Sequence, residues 1–322
     1  MREHDLIRRY FAGRAPARSD VPVGMGDDGA VMAVPPGMML VSVVDTLVSG
    51  VHFPADAPPA AIGHKALAVN LSDVAAMGAE PAWATLALTL PEVQDAWVAA
   101  FADGFFGLAQ AHDVALVGGD TTQGPLAVTV QVHGLVPAGD ALLRSGAGVG
   151  DGLYVTGTLG DAALGLALLQ APHDEPDLRD WLLNRLHYPQ PRVAAGQVLR
   201  GVASAAIDIS DGLLADLDHV CAASEAGARV QLASLPLSPA FDALATDGQR
   251  RQLPLSGGDD YELLVSVPVA NEPRAAELMA GLDCGWTRIG EIVASRDVVC
   301  VDAGGRAVEA GARGYSHFQE SE

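Results

Sequence analysis

Ala138-Gly139-Asp140-Ala141-Leu142-Leu143-Arg144-Ser145-Gly146-Ala147-Gly148-Val149-Gly150-Asp151 is the stretch on which the fold turns. It is glycine-rich and lacks apolar periodicity, so it reads as a linker at 138–150 between domains at 1–137 and 151–322. Upstream, residues 39–46 (Met-Leu-Val-Ser-Val-Val-Asp-Thr) read as a buried strand ending in a carboxylate. Residues 60–78 read as a helix, closed by Gly78 and by Pro81 shortly after. A strand of alternating type at 83–90, an amphipathic helix at 94–112 and a short strand at 114–118 follow. The last of these runs into Gly118-Gly119-Asp120, and 126–136 alternates as another strand. Downstream, strands are expected at 152–156, 204–209, 229–232, 261–267, 286–293 and 297–301. Helices are expected at 160–170, 178–201 (broken near Pro189 and Pro191), 213–226 and 271–282. Neither half keeps a strict βαβ rhythm. The expected class is therefore α+β, with two mixed domains, over one doubly wound sheet.

Composition agrees with two domains. A chain of 322 residues exceeds what one core usually serves. Its 49% hydrophobic and 18% charged content is enough for sizeable cores. Aromatics are only 5%, so the cores are mostly Ala, Val and Leu. A net charge of −21 disfavours nucleic acid and anionic membranes as partners. Cys221, Cys284 and Cys300 show no C-x-x-C spacing, which argues against a disulfide framework or zinc site and fits a reducing compartment. Met1-Arg2-Glu3-His4-Asp5 opens a short amphipathic helix without a signal-peptide core, and no apolar run reaches membrane-spanning length. A cytoplasmic, soluble protein is expected.

Aspartates recur beside glycine or small residues: Gly26-Asp27-Asp28-Gly29-Ala30, Val44-Asp45-Thr46, Asn70-Leu71-Ser72-Asp73, Gly118-Gly119-Asp120-Thr121-Thr122, Asp208-Ile209-Ser210-Asp211-Gly212 and Ser256-Gly257-Gly258-Asp259-Asp260. For any one alone, a cap or turn former is the plainer reading. Asp28, Asp45, Asp73 and Asp120 together, each expected at a turn or element end, point to a site for a hard cation such as Mg²⁺ or Ca²⁺. Mg²⁺ usually accompanies a phosphorylated substrate. It would also bring an anionic nucleotide to an acidic protein. The reading is a Mg²⁺-dependent enzyme acting on nucleotides or phosphate esters. There is no Walker A sequence and no kinase His-Arg-Asp loop, so any phosphoryl transfer belongs to another class. Lys65 is the single lysine; a surface position is the plain reading for it. Arg144, in the glycine-rich stretch, would suit a flexible clamp on polyphosphate. His52 follows Asp45 closely; a structural histidine is the plain alternative.

Taken in order, these segments resemble the thiamine-monophosphate kinase family, of the superfamily that includes aminoimidazole ribonucleotide synthetase and selenophosphate synthetase. The carriers are the stretches above with Val51-His52-Phe53, Lys65-Ala66-Leu67-Ala68-Val69-Asn70, Arg144-Ser145-Gly146-Ala147, Tyr261-Glu262-Leu263 and Gly314-Tyr315-Ser316-His317-Phe318. The resemblance implies the aminoimidazole ribonucleotide synthetase-like fold and transfer from ATP to thiamine monophosphate, with several Mg²⁺ ions. It also implies a homodimer joined through the N-terminal sheets, ATP lying near that interface. By position, Asp28, Asp45, Asp73, Asp120, Asp208 and Asp211 would be metal ligands. Gly119, Asp120, Arg144 and Ser210 would contact ATP; His52, Asp259 and Tyr315 would line the thiamine phosphate site. Asp45, Asp120 and Arg144 would carry catalysis. Two positions depart from the family pattern. Val43-Val44 stands where Ser or Thr often precedes the aspartate, leaving only backbone carbonyls for a metal there. Asp259 stands where glutamate is expected, a carboxylate shorter by one methylene. Two rivals remain: another ATP-dependent enzyme of the superfamily, and a non-catalytic acidic metal-binding or scaffold protein.

Overall fold

The structure, a computed structural model, describes residues 3–169, 175–311, 313–315 and 317. The chain forms two compact units, Met1–Val74 with Ala79–Gly139, and Ala75–Gly78 with Asp140–Glu322. The class is α+β, with one mixed sheet in each unit. No helix among the described residues is long and apolar enough to cross a membrane.

The first unit contains α1 (Glu3–Tyr10), β1 (Met38–Val48), α2 (Pro59–Ala76), β2 (Glu80–Leu90), α3 (Asp95–Ala111), β3 (Ala115–Gln123) and β4 (Ala127–Pro137). Its sheet runs β1-β4-β2-β3, antiparallel except for the β2–β3 pair, which α3 connects. β4 alternates as its sequence requires: Val128, Val130 and Val132 are buried, the residues between them half-exposed. β2 alternates as expected from Ala84 to Leu90, with Ala84, Leu86, Leu88 and Leu90 buried; Trp83 breaks the pattern because Val21, Ala30 and Met32 from the segment before β1 pack against its cluster.

α2 and α3 touch through glycines. A Cβ on Gly63 would collide with the carbonyl oxygen of Phe101, and one on Gly104 with that of Ala60. Both close approaches are backbone to backbone, so no side chain can yield. Gly104→Ala is expected to destabilise the protein by about 1–3 kcal/mol through overpacking. A denaturant midpoint equal to the parent's would remove this reading of the crossing.

The second unit contains β5 (Gly152–Thr156), α4 (Asp161–Leu168), α5 (Pro176–His187), α6 (Val193–Val198), β6 (Ala205–Ile209), α7 (Leu213–Ser224), β7 (Gly227–Gln231), α8 (Pro239–Leu244), α9 (Asp247–Ser256), β8 (Glu262–Val267), α10 (Glu272–Met279), β9 (Trp286–Val293), β10 (Val298–Val301) and β11 (Ala307–Val308). The strands order β11-β10-β7-β9-β5-β8-β6, antiparallel except for β10–β7. β6 and β8 are buried along their whole length, so they carry apolar runs instead of alternation. The break near Pro189 and Pro191 separates α5 from α6. α8 and α9 escaped the sequence reading; each is short, with proline inside or at its start. Their signal lay in the caps, Ser238 for α8 and the Thr246–Gln249 capping box for α9.

The glycine-rich stretch does not hang free. Leu142 and Ala147 are buried, Ala206 N–H donates to the Leu143 carbonyl (2.9 Å), and the Ser224 hydroxyl donates to that of Arg144 (3.2 Å). Lys65 is also buried, against the surface position expected for it. Burial raises all three thiol pKa values, that of Cys221 to about 11.

Candidate active site

The expectation that each aspartate sits in a turn or at an element end needs correction. Asp45 lies inside β1, Asp73 inside α2, and Gly118-Gly119-Asp120-Thr121-Thr122 inside β3. β3 carries a bulge instead: its register against β2 passes from Ala84↔Leu116 to Thr85↔Gly118. A bulge bends a strand and re-aims its side chains. Gly119 follows with φ 153°, and a Cβ there would run into the Leu86 carbonyl. Only glycine lets β3 lie this close to β2.

Beside this bulge is a cleft of about 640 Å³. Its walls are His4 and Ile7 of α1 with Phe11 just after it, the loop Met25–Ala30, Thr85 and Leu86 of β2, and Leu116–Thr121 of β3. Asp28 and Asp120 both line it and both are exposed. The segment leading into the loop is tied down by Trp83, whose Nε1 donates to Asp20 (3.0 Å), and by the Arg18–Asp20 pair (2.7 Å). The Arg18 hydrogen bond holds the Asp20 carboxyl below its usual range.

Asp45 and Asp73 do not line that cleft. For Asp45 the strand order shows why: β1 and β3 are opposite edges of the sheet, three strand spacings apart. Asp45 stands in the row Asp45–Val130–Leu86–Gly119, whose middle members are buried. Asp120 stands one step along, in the row Thr46–Thr129–Ala87–Asp120, where the two threonine hydroxyls meet at 2.8 Å on the exposed face. Successive rows face opposite sides of a sheet, and three strand spacings span about 14 Å. Asp45 and Asp120 of one chain therefore cannot share one ion directly. His52 ends the turn after β1; its Nδ1 accepts from the Val48 N–H (2.9 Å), which puts the proton of a neutral ring on Nε2.

In the second unit, three separated motifs are drawn together by backbone hydrogen bonds. Asp259 N–H donates to the Ser210 carbonyl (2.9 Å), Tyr261 N–H to Ile209 (2.8 Å) and Tyr315 N–H to Asp211 (3.0 Å). Asp208, buried at the end of β6, thus sits on the same loop system as Ser210, Asp211, Asp259 and Tyr315. Asp259 and Tyr261 have φ 70° and 50°, a left-handed conformation rare outside glycine and enriched at functional sites. The Tyr261 hydroxyl donates to Asp259 Oδ1 (3.1 Å), which orients the shortened carboxylate. Burial raises the Asp211 pKa, opposed by His317 and His219 and reinforced by Asp259. The Tyr315 side chain is half-exposed, with its hydroxyl 3.4 Å from His317 Nδ1; Ser316 and Phe318 lie outside the described residues. The Arg144 side chain is exposed.

Among the described residues, no group of three or more His, Cys, Asp or Glu converges as a ready-made metal cage. What the described residues offer is Asp28 and Asp120, which line one cleft along with Asp27, and Asp208 and Asp211 on one loop. Such oxygen donors fit Mg²⁺, which keeps several waters and takes substrate phosphate oxygens to complete its shell.

Sequence reasoning missed a buried charge network beneath this loop. Glu262 is fully buried and accepts from Thr156 (2.7 Å), Arg185 (2.8 Å) and both Nε and a terminal nitrogen of Arg192 (2.6 Å each). Asp260 is buried nearby and accepts from Gly160 N–H (2.8 Å). Burial, with Asp161 and Glu262 close, pushes its carboxyl well above the usual range. A raised folded pKa gives stability that is full below the unfolded value, about 3.9, and is lost as pH rises toward the folded value. Asp260→Asn keeps the acceptor and removes that loss. Its stability relative to the parent is expected to grow by up to about 1.4 kcal/mol per pH unit across that window. Urea unfolding at pH 5 and pH 8 checks this; an advantage that does not grow with pH contradicts it.

Comparison with known proteins places this geometry. Residues 26–136 match the AIR synthase related protein N-terminal domain and residues 148–302 the corresponding C-terminal domain. The chain is 48% identical over 318 residues to thiamine-monophosphate kinase of Escherichia coli (strain K12), covering 98% of each. It superposes on the crystal structure of thiamine-monophosphate kinase from Stenotrophomonas maltophilia K279a with a TM-score of 0.85 at 47% identity, covering 90% of this chain and 93% of that one. It also matches AaThiL complexed with AMPPCP and TMP, with a TM-score of 0.76 at 31% identity, covering 91% and 92%. Two matched domains and near-full-length identity lead to one conclusion: the chain belongs to the thiamine-monophosphate kinase family.

Proposed function

We propose that the chain transfers the γ-phosphoryl group of ATP to thiamine monophosphate, giving thiamine diphosphate by direct in-line attack assisted by several Mg²⁺ ions. The observation that carries this reading is the cleft lined by both Asp28 and Asp120, beside the bulge that precedes Gly118. It has the volume of a small-molecule site and is lined both by apolar side chains, Ile7, Phe11 and Leu116, and by the carboxylates of Asp27, Asp28 and Asp120. A nucleoside suits the apolar residues, and its metal-bound phosphates suit the carboxylates. The relatives' near-full-length identity and the AaThiL complex with AMPPCP and TMP support the substrate pair.

On this reading Asp28, Asp45, Asp73, Asp120, Asp208 and Asp211 hold the ions, Gly119, Asp120, Arg144 and Ser210 contact ATP, and His52, Asp259 and Tyr315 receive the thiamine phosphate. When bound, Mg²⁺ supplies charge neutralisation between two polyanions. The chain's own work is positional. Gly119 lets β3 pack close to β2, the Asp259–Tyr261 bond orients the shortened carboxylate, and the Val48 N–H fixes the His52 ring. The acceptor phosphate is already anionic, so no strong general base is required. Residues 1–137 form the nucleotide-binding and dimerisation domain in this proposal, and the edge strand β1, with Met39, Leu40 and Val44 exposed, is the surface for a second copy.

Purified protein with ATP, Mg²⁺ and thiamine monophosphate, assayed by chromatography, tests the reaction. EDTA and free thiamine should abolish product. Radiolabelled phosphate trapped on the protein after ATP alone would overturn direct transfer. The scaffold reading predicts no thermal shift from a non-hydrolysable ATP analogue beyond that of Mg²⁺ alone.

A further inference from the structure

Asp216 lies in the first turn of α7 and is 3% exposed. Its Oδ2 accepts three backbone hydrogen bonds, from Ser210 (3.0 Å), Asp211 (3.1 Å) and Gly212 (3.2 Å). Three successive amides aimed at one point form an anion-binding concavity, and those leading into a helix also carry the positive end of its dipole. In many nucleotide-binding proteins such a concavity takes a phosphate. Here the chain's own carboxylate fills it.

The carbonyl side of the loop is committed as well. Ser210 and Asp211 carbonyls accept from Asp259 and Tyr315, and a Cβ on Gly212 (φ 121°) would press on the Ser256 backbone. With its amides and these carbonyls satisfied internally, the loop has mainly side chains left to present, those of Ser210 and Asp211. We propose that Asp216 is a positioning residue: it occupies the amide concavity of the Asp208–Gly212 loop, which thereby carries cation-binding carboxylates instead of cradling phosphate. The proposal deepens the kinase reading and rests on it.

Two variants test it. Asp216→Ala removes all three hydrogen bonds, whereas Asp216→Asn keeps an amide oxygen that can accept them. Asp216→Ala is expected to raise the Mg²⁺ concentration for half-maximal rate by about tenfold or more, as loss of residues that orient metal ligands does. Asp216→Asn should stay within about threefold of the parent, because the acceptor survives. Amide hydrogen exchange at Ser210–Gly212 in the free protein should accelerate in Asp216→Ala and not in Asp216→Asn. Parent-like Mg²⁺ dependence in Asp216→Ala overturns the proposal. So does equal loss in both variants, since the charge and not the hydrogen bonds would then matter. Should the parent show no kinase activity, the functional reading falls by itself. The exchange experiment still decides whether Asp216 holds the loop.

Discussion

Asp120→Asn is expected to lower turnover by about 10²–10³-fold while leaving the fold intact. Asp120 lines the cleft with Asp28, on a strand whose position is set by Gly119, and its side chain is exposed. The substitution preserves shape and removes one negative charge. If the carboxylate holds an ion that neutralises developing charge on phosphate, several kcal/mol of transition-state stabilisation go with it. Each 1.36 kcal/mol is about tenfold in rate. Exposed surface substitutions usually move stability by less than about 0.5 kcal/mol, so the thermal midpoint should not follow the rate. Asp45→Asn should show a comparable fall by an independent route, because Asp45 sits in a different row of the sheet from Asp120. Near-parent turnover in both variants would refute the ligand assignments.

The largest effect on stability is expected from Glu262→Ala, about 3–5 kcal/mol. Glu262 is wholly buried, and the side chains of Arg185 and Arg192 retain only 14% and 13% exposure. One carboxylate therefore answers two guanidinium groups in a space with little water. Truncating it strands both, which costs far more than a surface pair would. Thr156 loses an acceptor as well, although its oxygen still accepts from Leu263 N–H (2.8 Å). An urea titration checks the figure, and a variant within about 0.5 kcal/mol of the parent would show that water reaches the arginines. Glu262→Gln keeps one acceptor and the shape, so it should fall between the two.

Where the fold was legible, the reasons are local. β5 and β6 are short apolar runs flanked by glycine, aspartate or serine, and their ends lie within a residue of expectation. α8 and α9 were invisible to periodicity because six- and ten-residue helices contain too few turns to show it. The site was legible as a set of motifs and not as a geometry. Aspartate beside glycine suggested turns, but Asp120 lies in a strand whose extra residue, a bulge, is set by pairing with β2. The gathering of Asp211, Asp259 and Tyr315 depends on backbone hydrogen bonds between segments some 50 to 100 residues apart, which no spacing encodes. Asp216 was passed over because a carboxylate four residues after Gly212 looks like an ordinary acidic first turn.

The burial of Lys65 has a chemical consequence. As the single lysine among 19 basic residues other than histidine, it leaves the described surface without an exposed side-chain amine. Every other strong cation is a guanidinium, which stays charged at any working pH and reacts poorly with acylating reagents. Succinimidyl esters should therefore leave the side chains of the folded protein untouched. Their reaction with Lys65 on addition of urea would report the opening of α2 at that single position.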